Sequence, residues 1–191
     1  MADAPLADIR VLDLTRVLSG PFATQQLVDL GAEVIKIERP GGGDDTRRFG
    51  PPFIEGESTY FMSVNRAKKS VAVDLKHPEG RALVQSLAKQ CDVMIENFRP
   101  GTAERLGLGS EQLRAENPRL ITCSISGYGH AGDETYTALP GYDAVMQAVT
   151  GLMALTGEPR GEPTKVGVAV SDMVAGLYAA QGILTALFAR G

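Results

Sequence analysis

The sequence has 191 residues, of which 43% are hydrophobic and 22% charged, with a formal net charge of -4. That length suits one domain, 1–191, large enough for its own core, and the acidic balance excludes the broad basic face that bulk nucleic-acid binding needs. MADAPLADIR lacks the basic-then-apolar pattern of a secretion signal and no apolar run is expected to reach membrane-spanning length, so the expectation is a cytoplasmic protein with neither membrane nor nucleic acid as partner.

In chain order, Ile9–Leu14 reads as a strand and Phe22–Leu30 as a helix that Gly31 stops. Val34–Ile37 reads as a second strand, and strand, helix, strand in so short a span is a βαβ unit with a parallel sheet. Pro40–Gly56, rich in glycine and proline, reads as a mobile surface loop. Ser70–Leu75 is strand-like. Pro78 suits the first turn of a helix that carries Leu83, Val84, Leu87 and Ala88 on one side. Asp92–Glu96 and Arg119–Ile125 are further strands, separated by helical pieces at Thr102–Leu106 and Ser110–Glu116. Tyr142–Leu155 and Met173–Ala189 close the chain as helices. The alternation predicts an α/β fold, a Rossmann-like open, mainly parallel sheet with flanking helices. Ligands of such sheets sit beyond the carboxyl ends of the strands.

The predicted strand exits carry Arg16, Arg39, Lys76, Asn97 and Arg99, with Arg105 just beyond. Cations at successive strand ends suit a phosphorylated ligand, Arg as a planar fork and Lys as a point charge; solvated loop charges give the same pattern. No nicotinamide nucleotide is implied. Thr15–Pro21 has no G-x-G-x-x-G, and the glycines at 41–43 are not followed by a helix. Cys91 and Cys123 have neither metal-ligand spacing nor a nearby histidine, so no metal and no disulfide is expected. Asp172 precedes an apolar helix, where Ser171 or Asp172 itself could be the N-cap. The positive helix end is expected to keep this carboxylate ionised, as a carboxylate nucleophile requires.

Five segments together resemble the class III CoA-transferases, the family of formyl-CoA transferase and carnitine CoA-transferase: VLDLTRVLSGPFATQQLVDLGAEVIKIERPGGGDDTR, YFMSVNRAKKSVAVDLKHPEG, DVMIENFRPGTAERLGLG, LITCSISGYG and GYDAVMQAVTGLMALTGEP. The resemblance implies a coenzyme A site formed by Val17, Leu18, Ser19, Arg39, Val73, Asp74, Leu75, Lys76, Asn97, Phe98, Arg99 and Arg105. Tyr142 and Asp143 would lie beside the substrate, and Asp172 would be the nucleophile. It further implies acyl-CoA and a small carboxylic acid as substrates, with coenzyme A as substrate and no tightly bound cofactor. Exchange would run through an aspartyl anhydride and an aspartyl-CoA thioester.

Family members are about twice this length and form interlocked homodimers, so the resemblance implies either a homodimer or a complementary C-terminal chain. The related α-methylacyl-CoA racemases carry His-Asp where this chain has Tyr142-Asp143, a poor base near neutral pH, so transfer is preferred to racemisation. A non-catalytic coenzyme A-binding fragment is the third expectation.

Overall fold

The computed structural model describes residues 4–191. β1 (Arg10–Asp13), α1 (Ser19–Asp29) and β2 (Glu33–Glu38) form the first crossover unit. A 3-10 turn (Asp45–Arg48), a small antiparallel hairpin of β3 (Phe53–Ile54) and β4 (Glu57–Ser58), and α2 (Thr59–Asn65) intervene before β5 (Lys69–Ala72). There follow α3 (Pro78–Ala88), β6 (Val93–Glu96), α4 (Thr102–Arg105), α5 (Ser110–Glu116), β7 (Ile121–Ser124), α6 (Glu134–Thr137), α7 (Asp143–Val149), α8 (Leu152–Leu155) and α9 (Val170–Arg190).

The main sheet has the order β5-β2-β1-β6-β7 and every pairing is parallel. The chain builds outward from β1 to β5 on one side, then crosses back to add β6 and β7 on the other. The topological switch therefore lies between β1 and β6, where the loops leaving the two strands diverge and open a crevice. Alternate residues of each strand feed opposite faces. Leu12 and Met94 join Val84, Ala88 and Leu108 in the core beneath α3–α5. Val11, Val34, Val93 and Ile95 join Leu27, Ala180 and Ile183 beneath α1 and α9.

The structure moves several expected boundaries. α1 starts at Ser19 rather than Phe22, because Gly20 and Pro21 fall in its first turn, where a proline loses no helical bond. The stretch expected to be one helix from Tyr142 is two, α7 and α8, broken at Gly151 with φ +81°. α9 starts at Val170, with Ala169 as its N-cap, so neither Ser171 nor Asp172 caps it. On α3, Leu83 is exposed and only Val84 and Ala88 are buried.

Pro40–Gly56 is not simply a mobile loop. Glu38, nearly buried, accepts bonds from Arg47 at 2.7 and 2.8 Å, from Ser70 Oγ at 2.6 Å and from Asp44 N–H at 2.7 Å, fastening the segment to the sheet. α9, finally, is long and apolar enough to cross a membrane by length and composition alone, contrary to the expectation. In the fold it packs along α1, and Gly176 is where the two backbones meet: a Cβ there would lie 2.6 Å from the Ser19 carbonyl oxygen.

Candidate active site

The floor of the crevice is ionic and buried. Asp13, at the end of β1, is fully buried and accepts from Thr15 N–H (2.9 Å), Thr15 Oγ1 (2.5 Å) and Thr24 Oγ1 (2.6 Å). Burial opposes its charge, but Lys36 and Lys68 outweigh burial and hold the carboxyl at about 2. Lys68 lies 3.3 Å from it, and its own value falls to about 8 because burial outweighs the pull of Asp13. Lys36 Nζ pairs with Asp44 at 3.0 Å, each side chain 1% exposed, and donates to the Thr15 carbonyl at 2.8 Å.

This network shapes the loop after β1. Asp44 accepts the Val17 N–H at 3.2 Å, and Asn97 exchanges two bonds with the Arg16 backbone, at 3.0 and 2.8 Å. The backbones of three consecutive residues, Thr15 to Val17, are thus held by four side chains: Asp13, Lys36, Asn97 and Asp44. Val17 is held at φ +68°, a region that a β-branched residue avoids unless its surroundings impose it. α1 then opens at Ser19 without a side-chain cap on Leu18, so the first N–H groups of the helix have no intrahelical partner.

Two adjoining cavities lie over this loop. One, of about 320 Å³, is lined by Arg39, Val73, Asp74, Leu75 and Lys76. The other, of about 490 Å³, is lined by Val17, Leu18, Ser19, Asn97, Arg99, Tyr142 and Asp172. Arg16 and Phe98 line both, which makes the pair a continuous groove across the switch point. Of the residues expected from the sequence, Arg105 lines neither cavity and bonds Thr102 Oγ1 at 2.8 Å instead. Asp143 also lines neither, for its carboxylate lies against the start of α9. Two of the expected cations are partnered within the fold: Arg39 and Arg16 both bond Asp45, at 2.5 and 3.2 Å. An anionic ligand would take them from that carboxylate.

Asp172 is the third residue of α9, and its side-chain oxygens accept no hydrogen bond among the described residues. The helix end was expected to keep this carboxylate ionised; burial first, and then the charge of Asp143, raise its carboxyl to about 6. It is still mostly ionised at neutral pH. Tyr60 of α2 stands within electrostatic reach of Asp172 and Asp143; burial, then those two charges, raise its phenol. Ser126 lines the same cavity with a buried hydroxyl that has no partner among the described residues.

Tyr60, Lys36, Asp44 and Gln147 were not singled out from sequence. Lys36 carried a usable signal, a charged residue amid the apolar run of a central strand. The others carry no such signal: Asp44 and Gln147 read as ordinary loop and helix polar residues, and the acids near Tyr60 are remote from it in sequence.

The profile of CoA-transferase family III matches residues 6–191. Succinyl-CoA:glutarate CoA-transferase of Mus musculus is 54% identical over 186 residues, 97% of this chain and 42% of that protein. Acetyl-CoA:oxalate CoA-transferase of Acetobacter aceti is 47% identical, covering 97% of this chain and 47% of that protein. The crystal structure of a CAIB/BAIF family protein from Brucella suis superposes with a TM-score of 0.93 at 48% identity, over 98% of this chain and 50% of that one. The chain thus spans about half the length of the curated relatives it matches.

Proposed function

The chain belongs to CoA-transferase family III, and from that premise we propose that it supplies the coenzyme A-binding half of an enzyme that moves coenzyme A from an acyl-CoA to a carboxylic acid, with Asp172 as nucleophile. One observation carries the proposal: Asp172 stands in the wall of a groove whose other end is lined by Arg39 and Lys76. The nucleotide would lie at the Arg39 end, where it would displace Asp45 from the two arginines. The pantetheine arm would pass Phe98 and Asn97 and bring the thioester to Asp172.

Asp172 would attack the thioester carbonyl, forming a C–O bond and expelling the coenzyme A thiolate, which leaves a mixed anhydride. The thiolate would then attack the aspartyl carbon, releasing the donor carboxylate and leaving an aspartyl-CoA thioester. The acceptor carboxylate would displace the thiolate again, and the thiolate would take the acceptor's acyl group, restoring the Asp172 carboxylate. No net proton is consumed, so no strong general base is needed, and covalent catalysis divides one difficult exchange into easier ones. The N–H groups of Ser19 and Gly20, which open α1, would hold the developing oxyanions. Relatives named for succinyl-CoA with glutarate and for acetyl-CoA with oxalate suggest a short acyl donor and a short dicarboxylate acceptor. The exposed apolar face of α9, with Leu177 and Phe188, would be covered by a second copy or a complementary chain.

The test is trapping by hydroxylamine during turnover of succinyl-CoA with glutarate. A hydroxamate located at Asp172 by peptide mass, and absent from Asp172→Ala, is the expected result. Deuterium exchange at C2 of a 2-methylacyl-CoA without any acceptor would point to the racemase alternative. Coenzyme A binding unaltered in Asp172→Ala, with no transfer to any acceptor by the wild-type protein, would point to a binding module.

A further inference from the structure

α9 has no side-chain cap of its own, because Ala169 precedes it and offers no acceptor. Its first N–H groups are taken by a carboxylate from another element. Asp143 Oδ1 accepts from Ser171 N–H at 2.8 Å and from Asp172 N–H at 3.4 Å. Asp143 Oδ2 accepts from Gln147 Nε2 at 2.7 Å, and Gln147, one turn along α7, is fully buried. Gln147 also holds the chain that enters α9: its Oε1 accepts the Val166 N–H at 2.8 Å, and its Nε2 donates to the Val168 carbonyl at 3.3 Å.

Two side chains of α7 therefore fix four backbone groups around the start of α9. An acid in the first turn of an uncapped helix ordinarily turns back onto the free N–H groups and the positive helix end. Asp143 already occupies them, and Asp172 is left lining the cavity without a hydrogen bond.

We propose that Asp143 and Gln147 are positioning residues for Asp172: Gln147 fixes the path into α9, and Asp143 occupies the helix end that would otherwise hold Asp172 out of the groove. A carboxylate denied its stabilising donors is more basic and hence a better nucleophile, which is what covalent exchange asks of it. The titratable groups that act on Asp172 or share its cavity are Asp143 from α7, Tyr60 from α2, Arg16 and Arg99 from the loops after β1 and β6, Tyr142 at the start of α7 and Tyr178 of α9 itself. Of these side chains, only that of Asp143 bonds the backbone of α9. The inference deepens the proposed function and rests on Asp172 as nucleophile.

The experiment is a carboxyl-carbon NMR titration of the full-length protein carrying labelled aspartate, with the Asp172 signal identified by its loss in Asp172→Asn. In Asp143→Asn, which keeps an oxygen acceptor and removes the charge, Asp172 should titrate at least half a unit lower. The acidic limb of kcat/KM should move with it. In Gln147→Leu, which keeps the volume and drops the bonds, kcat should fall tenfold or more with KM for acyl-CoA within about twofold. If that variant does not fold, Asp143→Ala should speed amide exchange at Ser171 at least tenfold. An Asp172 titration unmoved by Asp143→Asn, or Ser171 exchange unchanged in Asp143→Ala, overturns the inference. The titration reads the charge of Asp143 and the amide exchange reads the clamp, both without catalysis, so a wild-type enzyme that forms no hydroxamate would sink the nucleophile assignment separately.

Discussion

Asp172 illustrates what a single residue owes to neighbours that sequence does not display. Its place near the start of an apolar helix was legible from the pattern around it. Its ionisation was not, because burial in the folded chain, and after it the charge of Asp143 on another helix, raise the carboxyl against the pull of the helix end. The folded carboxyl titrates near 6, above its ordinary 3.8. A raised folded value means that the native state holds this proton more tightly than the unfolded chain does. Ionising Asp172 thus costs stability progressively as pH rises from about 4 to 6, and the full cost applies above 6. Asp172→Asn should abolish turnover by about three orders of magnitude or more. It should also raise Tm, with a gain close to zero at pH 4 and reaching a plateau above pH 6; melts at pH 4, 5.5 and 7 check it. A stabilised but inactive variant is the signature of a group kept in an unfavourable place for function.

Val17 gives a second case. Its left-handed backbone costs about 1–2 kcal/mol, while glycine adds about 0.5–1 kcal/mol of chain entropy in the unfolded state. The two nearly offset in Val17→Gly, so Tm should stay within a few degrees. KM for acyl-CoA should rise severalfold, because the side chain that lines the groove is lost and the freer glycine backbone must be ordered there. An unchanged KM would mean that the strained conformation has no bearing on binding.

Among the elements, the helix pair α1 and α9 carries the geometry that matters, since one opens at Ser19 and the other holds Asp172. Their separation is set by Gly176. A Cβ there meets the Ser19 carbonyl oxygen at 2.6 Å as well as the Phe22 ring at 3.0 Å; the ring can turn away but the backbone cannot, so Gly176→Ala must push the helices apart. We expect it to cost about 1–3 kcal/mol and to depress kcat more than Asp143→Asn does, measured by denaturant melts and steady-state kinetics. Helix existence was readable from periodicity, whereas this contact was not, because a glycine inside a helix looks only like a weak helix former until its neighbour is known.

Pro40–Gly56 shows the converse error. Its glycines and prolines read as a flexible loop, yet buried acids anchor it. Glu38 is held at about 2, since Arg47, Ser70 and the Asp44 N–H outweigh burial. A depressed carboxyl contributes stability that is present above about 4.5 and lost as pH falls toward 2. Arg47→Met should flatten that acid limb and destabilise the fold by about 3 kcal/mol at pH 7, both read from urea midpoints at stepped pH.

For the molecule as a whole, the α/β alternation carried the fold class, because strands buried on both faces and helices with one apolar side leave few other arrangements. It also located the switch-point groove, which Arg39, Lys76, Asn97 and Asp172 all line from distant parts of the chain. What could not be read was how much of the surface expects company. α9 is apolar nearly all round, yet only Gly176, Ala180 and Ile183 are buried, and Leu177 and Phe188 stand 49% and 90% exposed. Neither lines the groove, so substrate does not account for their exposure. A patch of this kind marks an interface or an aggregation hazard. The 191-residue chain should therefore self-associate in sedimentation velocity at micromolar concentration. The double substitution Leu177→Glu and Phe188→Glu should return it to a monomer with an unchanged far-UV spectrum, because both side chains already face outward. A wild-type chain that sediments as a monomer, with no gain in solubility from the two glutamates, would show that this face is stable in water and needs no covering surface.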